Sequence, residues 1–236
     1  KVKGMKTIAI GDTHGRQNWK QIVSENEFDK MIFIGDYFDT HEDVSALQQI
    51  HNFKEIIEYK ELNMDKVVLL FGNHDFHYLR NVDEHYSGFQ EWHKFDIQEK
   101  LHNALDKNLM QMCLVHNNFL FSHAGVSKTW LKNNILNKGA PLDDLINALF
   151  KYKPLAFKFT VGKNYDNYGD DITQTPIWIR PKSLFIDMID NYIQVVGHTT
   201  QEQVKQIDGK LILIDTLGTS GQFISIENDI ITVLQS

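Results

Sequence analysis

Three short apolar stretches near the start of the sequence each end in a glycine followed by side chains that can bind a metal. They cover residues 7–10, 31–34 and 67–71, and the residues after them read GDTHG, GDYFD and GNHD. An unbroken apolar run of this length is typical of a strand that is covered on both faces of a sheet. Because neighbouring parallel strands end at the same edge, we expect the three loops to meet there.

The segments between these stretches predict helices. Residues 17–24 form a short candidate helix, and residues 45–61 form a longer one in which apolar side chains recur at helical spacing. Ser45 is the candidate N-cap of the longer helix. An alternating order of strands and helices is typical of βαβ units, so this part of the chain predicts a parallel sheet.

The middle of the sequence predicts helices and a long loop. Residues 76–106 are polar and aromatic and are expected to be helical, as are residues 128–150, with an interruption at residues 139–141. Residues 151–180 have no regular pattern, and a loop of this length in a compact domain is often functional. We expect residues 76–106 and 128–180 to form cap regions over the site.

The segment of residues 76–106 also contains His77, His85, His93 and His102. No two of these histidines are spaced i,i+4 on a helix, and no pattern of carboxylates accompanies them. We therefore interpret them as surface or packed histidines rather than as a second metal site.

The second half of the sequence changes to a strand-like pattern. A strand pair is predicted at residues 110–115 and 118–122, and a short helix at residues 182–190. Further strands are predicted at residues 193–196, 204–207, 211–214, 223–226 and 230–234. Turn signals such as Asp208-Gly209 separate several of them. We therefore expect mostly antiparallel strands here, and two sheets that pack face to face with helices outside.

Composition narrows the class of protein. The 236 residues suit a single domain, residues 1–236, with a substantial core. The formal net charge of −7 argues against extended nucleic-acid binding. Cys113 is the only cysteine and has apolar neighbours, so we expect a packed thiol. No apolar run approaches the length of a membrane span and no signal-peptide pattern opens the sequence, so we expect a cytoplasmic protein with no membrane partner.

Five motifs together resemble those of the calcineurin-like metallophosphoesterases. GDTHG, GDYFD and GNHD are similar to the family's three N-terminal motifs. The sequences SHAG at residues 122–125 and VGHT at residues 196–199 are similar to its two C-terminal motifs. The resemblance implies an α/β fold, the four-layer α/β/β/α metallophosphoesterase sandwich of two mixed sheets flanked by helices.

The resemblance also implies two divalent metal ions. It assigns Asp12, His14 and Asp36 to the first ion, and Asp36, Asn73, His123 and His198 to the second. Two close ions need one ligand that binds both, and a carboxylate does this best, so Asp36 is the candidate bridge. The mixed nitrogen and oxygen ligands fit Mn²⁺, which we expect, or Fe or Zn²⁺, better than Ca²⁺.

Two further residues are implied to act on the leaving group. By the resemblance, a hydroxide that bridges the two ions attacks phosphorus in line, and His74 then protonates the leaving oxygen. Asp39 is implied to orient His74 and keep it cationic. Asp39 also has a simpler interpretation as a turn or helix-capping carboxylate.

The later motifs resemble the PPP-type serine/threonine protein phosphatases of bacteria and bacteriophages. His198 is followed by two threonines, whereas many metallophosphoesterases have a second histidine two places later. The sequence IWIR at residues 177–180 is similar to the Trp-x-Arg element of this branch. We therefore predict that Arg180 binds the substrate phosphate, although a surface arginine at the end of a loop is the simpler interpretation.

Two departures from this branch affect the choice of substrate. Asp39 is followed by Thr40 and His41, where the family often has an arginine that holds phosphate. Arg16 or His41 is the candidate to replace it, and Arg16 is included among the predicted substrate-binding residues. Asp75 stands where the branch usually has glutamate. These differences leave the phosphate chemistry intact.

The leading functional prediction is a dinuclear metal-dependent phosphatase that hydrolyses phosphomonoesters, with a phosphorylated protein or a small phosphoester as its substrate. The alternative is a hydrolase of diadenosine polyphosphates or other nucleotides. A non-catalytic scaffold with the same fold is less favoured, because scaffolds of this kind lose ligands or the catalytic histidine and this sequence keeps them.

Overall fold

The computed structural model describes residues 4–136, 139–163 and 165–236. The strands are β1 (Lys6–Ile10), β2 (Lys30–Phe33), β3 (Val67–Leu70), β4 (Met110–Gln111), β5 (Cys113–His116), β6 (Phe119–Ser122), β7 (Ile193–Val196), β8 (Lys205–Ile207), β9 (Leu211–Leu213), β10 (Gln222–Glu227) and β11 (Ile230–Gln235). The α-helices are α1 (Asn18–Glu25), α2 (Ala46–Leu62), α3 (Asn73–Phe76), α4 (Lys94–Asp106), α5 (Lys128–Asn134), α6 (Leu142–Tyr152) and α7 (Pro181–Ile186). Short 3₁₀ helices lie at Glu91–His93 and Pro154–Phe157.

The first sheet is mixed and has the strand order β11-β10-β1-β2-β3-β4. Strands β1 to β4 run parallel, with Ala9 opposite Ile32 and Ile32 opposite Val68. Strand β10 pairs antiparallel with both β1 and β11. The parallel order predicted for the N-terminal segment is confirmed, and the loops after β1, β2 and β3 therefore leave the sheet at one edge.

The second sheet is also mixed and has the strand order β5-β6-β7-β9-β8. Its three central strands run parallel, and β5 and β8 are antiparallel at its two edges. The C-terminal hairpin of β10 and β11 extends the first sheet, because β10 pairs with β1. The second sheet is therefore more parallel than the turn signals of the sequence suggested.

An apolar core between the two sheets holds them face to face. It includes Ala9, Ile32 and Ile224 from the first sheet and Phe121 and Ile212 from the second, all of them buried. Burial of an Ile or Phe side chain contributes roughly 1.5–3 kcal/mol, so the interface between the sheets is a main source of stability.

Helices cover the outer faces of both sheets. On the first sheet, Phe53 of α2 and Leu101 of α4 join a buried cluster that also contains Phe33 of β2. On the second sheet, Leu184 of α7 packs in a cluster with Val196. Two mixed sheets between helices confirm the predicted four-layer architecture.

The N-terminus of α2 confirms the predicted cap. The Ser45 side chain accepts a hydrogen bond from the Gln48 backbone N–H (3.3 Å), and the Gln48 side chain accepts one from the Ser45 backbone N–H (2.8 Å). This reciprocal arrangement satisfies two donors that the first turn of a helix otherwise leaves unpaired.

Two elements differ from the prediction. Residues 76–106 are not helical throughout, because the chain after Phe76 folds over the Asp39 carboxylate and regular helix resumes only at Lys94. The predicted strand at residues 110–115 is divided at Met112, where the chain passes from the first sheet to the second. The Met112 N–H donates to Asn147 Oδ1 (2.9 Å), and this satisfies a donor that neither sheet pairs.

Two expectations from composition can be compared with the structure. Cys113 is fully buried and free, as expected for a packed thiol. Among the residues that the structure describes, no helix combines the length and the apolar character needed to cross a membrane.

Candidate metal centre

Five loops meet at the edge where the parallel strands of both sheets end. Asp12, Asp36 and Asn73 follow β1, β2 and β3, whereas His123 and His198 follow β6 and β7, each within three residues of the strand. The carboxylates, Asn73 and His123 are buried. Parallel strand order therefore brings together polar residues that lie far apart in the sequence.

The backbone of these loops is unusual at the residues predicted to act. The φ angles of His14, Asp36, Asp39 and His198 are 44°, 50°, 64° and 62°. Such left-handed conformations cost free energy in residues other than glycine, so the surrounding structure must hold them. At Asp36 the backbone N–H donates to Asp75 Oδ2 (2.9 Å) and the carbonyl accepts from the His14 N–H (2.7 Å).

Two glycines let neighbouring loops approach the carboxylates closely. A Cβ atom at Gly72 would lie 2.0 Å from Asp36 Oδ1, and one at Gly197 would lie 2.0 Å from Asp12 Oδ1. Only glycine permits this approach. The backbone N–H of His74 then donates to Asp36 Oδ1 (2.9 Å), so the carboxylate is fixed by the next loop.

Asp12, His14 and Asp36 form a first group of candidate ligands, and all three lie in loops of the first sheet. Their ligand atoms lie within 4.8 Å of one another. His14 Nδ1 is 2.7 Å from the carbonyl oxygen of Phe38. Because a carbonyl can only accept, Nδ1 carries the proton, and the lone pair of Nε2 faces the carboxylates, 3.8 Å from Asp36 Oδ2.

Asp36, His123 and His198 form a second group whose ligand atoms also lie within 4.8 Å of one another. His123 Nε2 is 3.3 Å from Asp36 Oδ2. The side-chain oxygen of Asn73 lies 3.0 Å from both His123 Nε2 and His198 Nδ1. This group therefore combines loops of both sheets, and Asp36 is the residue that it shares with the first group.

Backbone carbonyls also fix the rings of the second group. His123 Nδ1 is 3.1 Å from the carbonyl oxygen of Ile34, and His198 Nε2 is 3.0 Å from that of Trp178. These nitrogens carry the ring protons, because the carbonyls can only accept. The other nitrogen of each ring is thereby left free to bind an ion.

The electrostatics of the two groups favour a bound cation. Burial raises the pKa of Asp12 well above its usual value, and repulsion from Asp215 and Asp36 adds to this effect. Burial alone would also raise the pKa of Asp36, but the nearby His123 and His74 hold it well below its usual value. Buried carboxylates that repel each other are stabilised when a cation lies between them.

Divalent ions fit the residues present. The second group offers two imidazole nitrogens, an amide oxygen and a carboxylate, and the first offers an imidazole and two carboxylates. Such mixed nitrogen and oxygen ligands suit Mn²⁺, Fe or Zn²⁺. The described residues thus contain two adjacent candidate metal groups that share one carboxylate.

His74 and Asp39 lie beside the ligand groups. His74 Nδ1 is 3.0 Å from Asp39 Oδ2, and the His74 ring centroid is 5.6 Å from that of His14. Burial lowers the pKa of His74, but the carboxylates of Asp36 and Asp39 outweigh burial and raise it. Burial would raise the pKa of Asp39, but its contacts with His74 and His77 lower it to about 2. A charged Asp39 and a cationic His74 therefore stabilise each other.

The contacts around Asp39 were not predicted from the sequence, in which His77 was interpreted only as a surface or packed histidine. His77 Nε2 lies 2.6 Å from Asp39 Oδ2, and the Tyr78 hydroxyl donates to Asp39 Oδ1 (2.5 Å). Gln90 Nε2 approaches the same Oδ1 at 3.4 Å. The spacing of three residues between His74 and His77 was an available signal, because it places both rings on one side of a helical turn.

Asp75 organises the turn that carries Asp36. Its Oδ2 accepts from the backbone N–H groups of Gly72 and Asp36 (2.9 Å each), and its Oδ1 accepts from that of Tyr37 (2.8 Å). In the sequence, Asp75 stands out only because the PPP-type branch usually has glutamate at this position. Its contacts show that it connects the loops after β2 and β3.

Asp215 is a further buried carboxylate, and it was not predicted as a site residue from the sequence. Its Oδ2 accepts from the Thr200 hydroxyl (2.7 Å), and its charge contributes to the raised pKa of Asp12. It follows the strand β9 by two residues, as Asp12 follows β1. That repeated pattern of strand and carboxylate was the signal that could have identified it.

Arg180 closes the irregular segment of residues 151–180 against His198. Its Nε donates to the carbonyl oxygen of Tyr168 (2.7 Å), and its Nη1 donates to the His198 carbonyl oxygen (3.1 Å) and to Thr199 Oγ1 (3.0 Å). Nε and Nη1 thus hold the guanidinium beside the candidate ligand His198, and Nη2 has no acceptor among the described residues.

Arg16 is bound to an acidic side chain. Its Nε and Nη2 both donate to Glu42 Oε1 (2.8 and 2.5 Å), and its Nη1 donates to the carbonyl oxygen of Asp12 (3.2 Å). The positive charge of Arg16 is therefore paired with Glu42, next to the backbone of Asp12. His41, the other candidate for the missing arginine, is exposed in the same loop as Glu42.

Solved structures of several other proteins share this fold. A cold-active protein-tyrosine phosphatase of a psychrophilic Shewanella species is 22% identical, with a TM-score of 0.62, over 98% of this chain and 80% of that chain. A protein serine/threonine phosphatase from Saccharomyces cerevisiae is 16% identical, with a TM-score of 0.58, over 100% and 81%. A metallophosphoesterase from Sphaerobacter thermophilus is 13% identical, with a TM-score of 0.53, over 98% and 88%. At these identities the likeness shows the fold alone.

Sequence comparison adds the family. No curated protein sequence matches the chain significantly. Residues 5–201 match the family described as calcineurin-like phosphoesterase, which covers all five motifs of the candidate metal centre. The match, the fold and the two candidate ligand groups agree, and the chain therefore belongs to the calcineurin-like phosphoesterase family and is a metal-dependent phosphoesterase.

Proposed function

We propose that this protein is a dinuclear metal-dependent phosphatase that hydrolyses phosphomonoesters, with Mn²⁺ as its preferred ion and Fe or Zn²⁺ as alternatives. The observation that carries the proposal is the position of Asp36, whose carboxylate belongs to both candidate ligand groups. A shared carboxylate suits two ions a few Å apart, the arrangement used in two-metal hydrolysis of phosphoesters.

The described residues divide into two sets of ligands. Asp12, His14 and Asp36 would hold one ion, and Asp36, Asn73, His123 and His198 would hold the other. When bound, the two ions would supply Lewis acidity and would activate water for the in-line attack on phosphorus that the sequence predicts.

His74 is proposed as the general acid. Its Nδ1 is bound to Asp39, so Nε2 is the nitrogen available to donate a proton to the leaving oxygen. Asp39 orients the ring and stabilises its cationic form, which agrees with the raised pKa of His74.

Arg180 is proposed to bind the phosphate. Three of its hydrogen bonds fix the direction of the guanidinium, and Nη2 remains available for a phosphate oxygen. Arg16 stays a weaker proposal for substrate binding, because Glu42 already occupies two of its donor groups.

The proposed substrates are phosphorylated proteins or small phosphoesters. Two structural neighbours are named as protein phosphatases, one for tyrosine and one for serine and threonine, which supports this class. A cytoplasmic location and the lack of extended nucleic-acid binding remain predictions from the sequence.

The experiment is a comparison of substrates with the purified chain and added Mn²⁺. We expect release of phosphate from p-nitrophenyl phosphate and from phosphoserine, phosphothreonine or phosphotyrosine peptides, and little hydrolysis of diadenosine tetraphosphate. Preferred hydrolysis of diadenosine tetraphosphate would instead support the nucleotide hydrolase.

Two variants control for contaminating phosphatases. Asp36→Asn should abolish the release of phosphate, whereas Asp190→Asn, on an exposed side chain that pairs with Lys128, should keep it. Absence of hydrolysis of every phosphoester, with Mn²⁺, Fe²⁺ or Zn²⁺ bound at both groups, would refute the proposal.

A further inference from the structure

The carboxylate of Asp39 has more partners than the pairing with His74 requires. Its Oδ2 lies 3.0 Å from His74 Nδ1 and 2.6 Å from His77 Nε2, and its Oδ1 accepts from the Tyr78 hydroxyl (2.5 Å). His77 and Asp39 are both 2% exposed. A buried carboxylate surrounded in this way has little freedom to rotate.

The backbone decides which nitrogen of His77 carries the proton. The N–H of Tyr86 donates to His77 Nδ1 (3.2 Å), and a backbone N–H can only donate. The neutral ring therefore has its proton on Nε2, the atom that faces Asp39. Among the described residues this nitrogen makes no hydrogen bond of good geometry, so its 2.6 Å approach to Asp39 Oδ2 is a close polar contact that lacks good alignment.

The same tautomer argues against a third metal ion in this cluster. The ligand atoms of Asp39, His74 and His77 lie within 4.8 Å of one another, as in the two metal groups. A bound ion would need the lone pair of His77 Nε2, and the proton would then have to move to Nδ1, where it would oppose the Tyr86 N–H. The cluster is therefore better suited to fixing a carboxylate than to binding an ion.

Aromatic packing fixes the plane of the His77 ring. The ring stacks on Tyr86 with centroids 4.9 Å apart and an interplanar angle of 14°. Tyr86 in turn packs edge-on against Trp178, at 4.5 Å, and the carbonyl oxygen of Trp178 is the partner of His198 Nε2. The ring that faces Asp39 is thus supported by Tyr86, which in turn packs on Trp178, the residue that supports His198.

We propose that His77 is a positioning residue that holds the Asp39 carboxylate in the orientation in which Oδ2 faces His74. It acts through Asp39 and not on the substrate. The proposal rests on the proposed phosphatase function, since it assigns His77 a part in orienting the general acid. Without the donor at position 77, Asp39 keeps the Tyr78 contact but can turn Oδ2 away from His74.

The first test is the leaving-group dependence of His77→Phe, which keeps a ring to stack on Tyr86 and removes the donor. A misplacement of about 1 Å can cost ~10²-fold in rate, so we expect kcat for an alkyl phosphate to fall roughly 10- to 100-fold. The kcat for p-nitrophenyl phosphate, whose leaving group needs no proton, should change less than about threefold. KM and metal content should stay unchanged.

Rescue and control variants separate positioning from a merely structural effect. His77→Gln can place an N–H near the position of Nε2 and should recover kcat to within about threefold of wild type. His85→Phe makes the same change at an exposed histidine that stacks on Phe89, and should leave both rates unchanged. If His77→Phe does not fold, His77→Met compared with His77→Gln gives the same contrast at nearly equal size.

A crystal structure of each metal-loaded protein tests the inference without activity. In His77→Phe we expect the distance from His74 Nδ1 to Asp39 Oδ2 to exceed about 3.5 Å, or the carboxylate to occupy two orientations. An unchanged carboxylate, or equal losses for the two substrates, would overturn the role of His77. A wild-type protein inactive on every phosphoester would refute the phosphatase instead, and the carboxylate geometry would still decide the role of His77.

Discussion

The two candidate ligand groups are built differently, although they share Asp36. The first group, Asp12, His14 and Asp36, lies entirely in loops that follow β1 and β2 of one sheet. The second adds His123 and His198, which follow strands of the other sheet. The ligands of one group therefore come from the loops of one sheet, whereas the ligands of the other come together only when both sheets are packed against each other.

The two groups therefore depend on different parts of the fold. In the first group the ligands follow short parallel strands, and the His14 N–H donates to the Asp36 carbonyl oxygen. The second sheet contributes one contact, because the His198 N–H donates to Asp12 Oδ2 (3.0 Å). The geometry of the second group depends on the apolar core between the sheets and on the carbonyl of Trp178, which belongs to the irregular segment. Variants that act on one group and not on the other can test the distinction.

The largest effect is expected from Asp36→Asn, which removes the shared charge and so affects both groups at once. We expect a loss of activity of about 10⁴-fold or more, because stabilisation of transition-state charge by both ions is worth several kcal/mol. Elemental analysis should also show the loss of at least one ion per chain. Full occupancy by metal with normal turnover would contradict the shared role of Asp36.

His74→Asn is the next largest, and it tests a residue whose hydrogen bonds reach Asp36 and Asp39 in the loop after β2. Since general acid catalysis contributes roughly 10²–10⁴-fold, kcat for alkyl phosphates should fall within that range. Metal content should hold, because no ligand of either group is removed. The loss should shrink for p-nitrophenyl phosphate, and an equal loss for both substrates would argue against the acid role.

Arg180→Ala tests the side of the site formed by the second sheet and the irregular segment. Removal of a charge-assisted phosphate contact should cost about 2–4 kcal/mol of transition-state binding, or roughly 30- to 1,000-fold in kcat/KM. Inhibition by inorganic phosphate should weaken in parallel while both ions stay bound. Arg180→Lys should recover only part of the activity, since an ammonium cannot keep the hydrogen bonds to Tyr168, His198 and Thr199 while it also donates to phosphate.

A small effect of Arg180→Ala on kcat/KM would make Arg16, the other arginine near the site, the next candidate for phosphate binding. If kcat/KM changes less than about threefold with phosphate inhibition unchanged, the phosphate contact must come from elsewhere. Arg16 would then be the next residue to test, together with Glu42→Gln, which releases it from its ion pair.

The most specific effects are expected from His14→Asn and His198→Asn, each of which removes one candidate ligand from one group. Each variant should bind one ion at least about tenfold more weakly, since changes even in the outer shell of a metal site typically cost 10–100-fold. Amide hydrogen exchange, measured with and without added metal, then distinguishes the two groups. Added metal should still protect amides after β7 in His14→Asn, but not in His198→Asn. Equal protection in the two variants would contradict the proposed division between the sheets.

The strand pattern of the sequence brings the loops of the first group together, whereas only the resemblance adds the histidines of the second group. Asp12 and Asp36 follow recognisable strands at short spacing, so pattern and topology are enough to bring them together. His123 and His198 lie in another sheet, and no local pattern says how the sheets will pack. The family motifs supplied that information, and the structure places both histidines at the predicted edge.

The contacts that the sequence did not predict depend on irregular backbone. His77 reaches Asp39 because the chain after α3 leaves helical geometry, and no periodicity foretells that path. Glu42 neutralises Arg16 from a loop whose shape follows from tertiary contacts. The change of sheet at Met112 likewise has no local signal, since Met110 to Val115 are compatible with one strand.

The left-handed backbone at the site has a consequence for how this protein trades stability against activity. His14, Asp36, Asp39 and His198 all adopt positive φ, and each such residue costs about 1–3 kcal/mol when it is not glycine. Folded proteins are stable by only about 5–15 kcal/mol, so these four residues take a large share of that margin. Inactive substitutions at the site, glycine above all, are therefore the easiest route to a more thermostable scaffold. A screen for heat resistance alone would therefore favour replacement of these four candidate site residues.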